Sequence, residues 1–130
     1  MNWIKKTEDG VKTFSCSEIF NGCTYTVTVW VYDYLKRSEF WVGLSSGKKR
    51  RDLEIFEPKE NKSTGGIAAL LWAKEMMLSF PEYYGNPYNQ KQFICVHWAD
   101  ARRRDIYSRL INDGFGFIMK NNQKILIKKV

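Results

Sequence analysis

A chain of 130 residues, 44% hydrophobic and 15% aromatic, is long enough to close one core without metals or disulfide staples, which predicts a single globular domain spanning 1–130 and excludes disordered and fibrous classes. With 21 Lys+Arg against 14 Asp+Glu the formal charge is +7, a balance suited to polyanions: nucleic acid, phosphorylated cofactors or acidic proteins. The longest apolar stretch, from Gly65 to Trp72, is broken at Lys74 and Glu75 and excludes a membrane span, while Cys16, Cys23, Cys95 and the one histidine have no zinc-ligand spacing, so a cytoplasmic protein with reduced thiols and no metal is expected.

The first half reads as β-structure. A short strand, "VKTFSC", precedes "CTYTVTVWVYDY", where Cys23, Tyr25, Val27, Val29 and Val31 alternate with Thr24, Thr26 and Thr28, the period of a strand with one buried face. "LKRS" turns the chain into "EFWVGLSS", with Phe40, Val42 and Leu44 on one side, and "GKKRR" turns it into "DLEIFEP". The first 58 residues thus predict an antiparallel meander.

After Pro58 the period becomes helical. Ser63 or Thr64 can cap a helix on which Ile67, Leu70, Leu71, Met77 and Leu78 form a stripe. Trp72, Met76 and Phe80 cover the other side, so this helix is expected to be buried on more than one side and to stop at Pro81. "PEYYGNPYNQKQ" is a tyrosine-rich loop, and "FICVHW" a buried strand. Asp100 can cap a second helix, "ARRRDIYSRLIND", with Ile106, Tyr107, Leu110 and Ile111 on one stripe and Gly114 as its stop. "FGFIMK" and "QKILIKK", joined by two asparagines that tolerate positive φ, predict a closing hairpin.

Several residues carry candidate chemistry. Gly65 and Gly66 at a helix start either ease a turn or let the backbone approach a phosphate, which the free N–H groups and the helix dipole favour. Cys95 and His97 stand two apart on a strand, as a thiol–imidazole pair or as a packed thiol beside a histidine. Lys48, Lys49, Arg50 and Arg51 form a basic hairpin tip, either solvated or in contact with a partner. Arg102, Arg103 and Arg104 crowd the positive end of their helix, where a nearby anion would offset the dipole.

The strand, glycine loop and helix, followed by "ICVHWADARRRDIYSRLINDGFGF" with Asp100, Ile106-Tyr107 and Gly114-Phe115 in order, resemble the GNAT superfamily of acyl-CoA-dependent N-acyltransferases over roughly residues 24–130. The resemblance implies a GNAT-like α+β fold: a mostly antiparallel sheet with a central splayed parallel strand pair, by position "DLEIFEP" and "FICVHW", and two main helices. It implies acetyl-CoA, or a related acyl-CoA, as cofactor and an amine as acceptor. Lys62, Thr64, Gly65 and Gly66 would then hold pyrophosphate, with Asp100 and Arg103 on the cofactor side. Tyr107 would protonate the departing thiolate, and Glu54, Glu57 or His97 would serve as base. The loop motif fits as Asn61–Gly66 or as Lys62–Ile67, and Asp100 replaces the family's asparagine.

The competing expectation is a basic, non-enzymatic binder, of the sort mobile genetic elements carry, that meets nucleic acid or an acidic protein through the two basic runs and uses exposed tyrosines or tryptophans for stacking. Trp30, Trp41 and the terminal strand offer a sheet-edge contact for a homodimer.

Overall fold

The computed structural model describes residues 3–46, 66–97 and 113–130. They form β1 (Ile4–Glu8), β2 (Val11–Phe20), β3 (Cys23–Asp33), β4 (Arg37–Ser46), α1 (Gly66–Tyr84), β5 (Lys91–His97), β6 (Gly116–Lys120) and β7 (Gln123–Lys129). All seven strands join one mixed sheet in the order β1-β2-β3-β4-β5-β7-β6. Neighbours are antiparallel except β4 and β5, which run parallel with Arg37 opposite Lys91 and Val42 opposite Val96.

Three tight turns set the antiparallel registers. Asp9-Gly10, Asn21-Gly22 and Asn121-Asn122 all have positive φ at both positions, the backbone that matches the twist of the flanking strands. The closing hairpin is therefore turned by its asparagine pair, as its sequence predicts. β1 and the long register of β2 beyond Cys16 were not expected, although Asp-Gly and Asn-Gly are strong hairpin signals.

The core lies between α1 and one face of the sheet. Tyr25, Val27, Val29 and Val31 of β3 alternate inward, next to Phe40, Val42 and Leu44 of β4, Ile94 and Val96 of β5 and Leu126 of β7. α1 buries Ala69, Ala73, Met76, Met77 and Phe80, while Leu71 is 53% exposed. The stripe facing the sheet is thus centred on two alanines rather than on Leu70 and Leu71, because small side chains let the helix approach the sheet closely. Phe80 fills the middle, with the rings of Trp3, Phe14 and Phe40 each 5.2 Å from its own. Such edge-to-face pairs add about 0.5–1.5 kcal/mol each beyond area burial.

Pro81 does not stop the helix. It lies in the last turn, where its missing N–H costs one bond to the carbonyl four residues back. α1 continues to Tyr84 and ends where Gly85 takes φ +79° and donates its N–H to the Pro81 carbonyl at 2.9 Å. The loop that follows is pinned at the sheet: Gln92 Nε2 donates to the Gly85 carbonyl, and Gln90 Nε2 donates to Ser38 Oγ on β4.

The expected GNAT-like fold with two main helices is not what the described residues form: they make a seven-stranded mixed sheet carrying one helix, of 19 residues. A physical reason lies in the sheet's second face. Across β2 to β4 that face carries Thr13, Ser15, Thr26, Thr28, Trp30 and Trp41, without the aliphatic stripe on which another helix layer packs. The second predicted helix, in 101–113, falls outside the described residues except at Asp113. So does "DLEIFEP", and the strand that runs parallel to β5 is β4. Trp30 and Trp41 stand on interior strands and β7 lies between β5 and β6, so among the described residues the sheet edges are β1 and β6 instead. Among the described residues no helix is long and apolar enough to cross a membrane.

Candidate functional site

A crossover between parallel neighbours places a helix start above the carboxyl ends of the strands it joins, and open sheets bind ligands at such ends. Here β4 and β5 are that pair and α1 lies between them in sequence. Two ring contacts fix the direction of α1. Trp72, in its first half, meets Phe20, which packs on Tyr25, and Tyr25 is paired with Ser46 at the carboxyl end of β4. Tyr84, at the other end, meets Phe40 edge to face and donates to Asp33 Oδ2 at 2.9 Å, close to where β4 begins. The first turn of α1 therefore overhangs the carboxyl end of β4, carries no acidic residue, and begins at Gly66. Its leading N–H groups have no intrahelical partner, which is the physical basis of an anion site.

Of the sequence-predicted site residues, Gly66 opens α1 and His97 closes β5 opposite Ile125. Both thus belong to elements that end on or begin beside the parallel pair. Lys62, Thr64, Gly65, Glu54, Glu57, Asp100, Arg103 and Tyr107 lie outside the described residues. The same holds for Lys48, Lys49, Arg50 and Arg51 and for Arg102 and Arg104. Glu54 and Glu57 were nominated as bases because their strand was expected beside β5; with β4 in that place, that ground for choosing them is gone.

The thiol–imidazole pair loses its nucleophile. Cys95 is 1% exposed, and burial, reinforced by the negative charge of Glu39, pushes its thiol up to about 12. A thiol held protonated at neutral pH packs as a small hydrophobe.

The opposite face of the sheet holds a second constellation, of which the sequence names only Trp30 and Trp41, and those as a sheet-edge contact. Trp30 and Trp41 are directly opposed on β3 and β4, and Tyr32 is opposed to Glu39. Glu39 is buried, yet it is surrounded by donors: Trp41 Nε1 at 3.0 Å, Lys120 Nζ at 3.3 Å and Arg37 Nη2 at 2.5 Å. Burial alone would raise its carboxyl, but the Trp41 N–H, Lys120 and Arg37 outweigh that and hold it below the ordinary range. Glu39 is thus a fixed anion and not a base.

Lys120 belongs to β6, which stands three places from β4 in the sheet, a lateral distance of about 14 Å at normal strand spacing. A lysine side chain does not span that gap, yet its ammonium reaches Glu39 and sits 5.2 Å over the Trp41 ring. The tip of the β6–β7 hairpin therefore curls over this face. Under it opens a cleft of about 390 Å³ lined by Trp30, Tyr32, Tyr34, Trp41, Lys120 and Gln123 among others. The signal was present in the alternation: Trp30 and Tyr32 fall on the strand parity opposite to the valines, as Glu39 and Trp41 do opposite to Phe40 and Val42.

A third polar group, at the amino end of the parallel pair, is structural. Lys12 Nζ donates to the Tyr84 hydroxyl at 3.1 Å and lies 3.5 Å from Asp33, tying β2, β3 and the end of α1 together. Among the described residues no three His, Cys, Asp or Glu side chains converge as metal ligands do. No protein-family model, curated protein or solved structure matches this chain.

Proposed function

We propose that the chain binds an acyl-CoA at the carboxyl ends of β4 and β5 and transfers the acyl group to an amine. The observation that supports this reading is the crossover itself: the one parallel pair among the described strands is bridged by a helix whose first turn overhangs β4, starts at a glycine and has no acidic residue to repel an anion. The sequence places Gly65, Thr64 and Lys62 directly before that turn, where they would contact the pyrophosphate together with Gly66. The +7 charge favours such a ligand over a neutral one.

The thioester supplies an activated acyl carbon. An unprotonated amine attacks that carbon, the C–S bond breaks, and the thiolate takes a proton, in this reading from the Tyr107 hydroxyl. The attacking nitrogen gives up its own proton to a base, for which His97 at the end of β5 is the candidate in the described structure. Cys95 and Glu39 do not take part, one being a buried neutral thiol and the other a saturated carboxylate. The reading is tested by acyl transfer from acetyl-CoA to a panel of primary amines and lysine peptides, followed by thiol release. Turnover should fall on the order of 10²-fold or more in Tyr107→Phe while cofactor affinity is retained; equal turnover in that variant removes Tyr107 as the acid, and no turnover with any amine removes the transfer.

A further inference from the structure

We propose that the face of the sheet turned away from α1 is a binding site for single-stranded nucleic acid, separate from the acyl-CoA site. Two grooves meet there at one side chain. The cleft under the β6–β7 tip, of about 390 Å³, is lined by Trp30, Tyr32, Tyr34, Trp41 and Lys120. A second groove, of about 280 Å³, lies on the far side of Trp30, lined by Lys6, Glu8, Thr13, Ser15 and Thr28. Trp30 borders both, so the two grooves adjoin at its side chain across β1 to β4, and a strand passing over that ring would meet both.

The chemistry of the two grooves matches the bases and the phosphates of a nucleic-acid strand. Trp30 and Trp41 are neighbours on adjacent strands, and Tyr32 follows Trp30 two residues along, about 7 Å at strand rise. Tyr32 and Tyr34 lie parallel, their rings 6.3 Å apart. These half-buried and exposed rings offer π-faces that every base can stack on. Lys120 and Lys6 flank the rings and suit the backbone phosphates. Of the two described carboxylates at the grooves, Glu39 is neutralised by Arg37 and Lys120, and Glu8 stands beside Lys6 at the far end of the second groove, so the phosphate is expected nearer Lys120. In the second groove Thr28 is 3% exposed and its Oγ1 has no hydrogen-bond partner among the described residues, a cost that a ligand's donor or acceptor removes. A duplex fits poorly, since its bases are stacked on each other and their faces are closed to the tryptophans.

The test is fluorescence anisotropy of labelled oligothymidylate and oligouridylate, with a duplex of equal length, against the full chain at low and at physiological salt. Saturable binding of the single strands, weaker for the duplex, is expected, with one or both of the two single strands bound. Trp30→Leu and Trp41→Leu should each weaken it about 5- to 150-fold and Trp30→Phe far less. Tyr34→Ala, at a side chain 48% exposed, guards against a folding artefact and should also weaken binding with the far-UV spectrum unchanged. Equal affinity for duplex and for the leucine variants would show that charge alone holds the nucleic acid and overturn the proposal. So would the absence of any association at low salt. Neither result touches the acyl-CoA reading, which rests on the start of α1 and the carboxyl ends of β4 and β5.

Discussion

Replacing Glu39 by glutamine should loosen the curled hairpin and lower stability in a pH-dependent way. The carboxylate accepts from Trp41 and meets two cations, and hydrogen bonds to charged groups are worth about 1.5–3 kcal/mol each. Glutamine keeps an acceptor for the Trp41 N–H, and Arg37 and Lys120, both 40% exposed, regain water when they lose their partner. The net loss is therefore on the order of 2 kcal/mol rather than the ~3–5 kcal/mol of a fully buried broken pair. At about 2.1 cal/mol/K of unfolding entropy per residue, that lowers Tm by about 7 °C. The folded carboxyl lies below its ordinary 4.5, so its stabilisation is complete above that value and disappears as the pH falls through the folded value. Thermal melts of both proteins by circular dichroism should differ near pH 7 and converge in acid. Equal Tm at pH 7, or a gap that persists in acid, would refute the charged clamp; Lys120→Met in the same background should add little, because its partner is already gone.

Phe80→Ala should cost about 3–5 kcal/mol in urea unfolding, since Phe80 is 0% exposed and central to the Trp3, Phe14 and Phe40 rings, whereas Phe80→Leu should retain much of that; a loss below about 1 kcal/mol would mean the cluster is not packed as described. Native Cys95 should resist iodoacetamide at pH 8, where a thiol titrating at about 12 is only about one part in ten thousand thiolate, and should react on denaturation; mass spectrometry of the peptide gives the answer. Gly22→Ala should destabilise by about 1–2 kcal/mol through backbone strain alone, because Gly22 has φ +78° and an added Cβ meets nothing within 4 Å; an unchanged midpoint would contradict the Asn21-Gly22 turn.

The strongest strand was readable because Thr24, Thr26 and Thr28 alternate with the apolar Tyr25, Val27 and Val29, and β3 runs Cys23–Asp33. The asparagine hairpin was readable for the same local reason. What local pattern could not supply was partnership. Nothing in "DLEIFEP" or "EFWVGLSS" says which of them lies beside β5, and that choice decides which residues stand at the carboxyl end of the parallel pair. The face of α1 was misjudged because leucines carry more hydrophobic weight than Ala69 and Ala73, although close packing on a sheet selects small side chains. Pro81 was taken as a stop when a proline in the last turn costs only one bond. The Glu39 cluster depends on Lys120, 81 residues away in sequence, and no periodicity reports such a contact.

The most direct test of the central claim is a calorimetric titration of the full chain with acetyl-CoA at moderate salt, with CoA and ATP as controls. The anion site proposed at the start of α1 predicts saturable binding of acetyl-CoA with a Kd in the micromolar range, about −8 kcal/mol, that is weakened at least tenfold in Gly66→Val. Absence of heat with acetyl-CoA, or binding that ATP matches and Gly66→Val leaves unchanged, would contradict an acyl-CoA cradle at the carboxyl ends of β4 and β5.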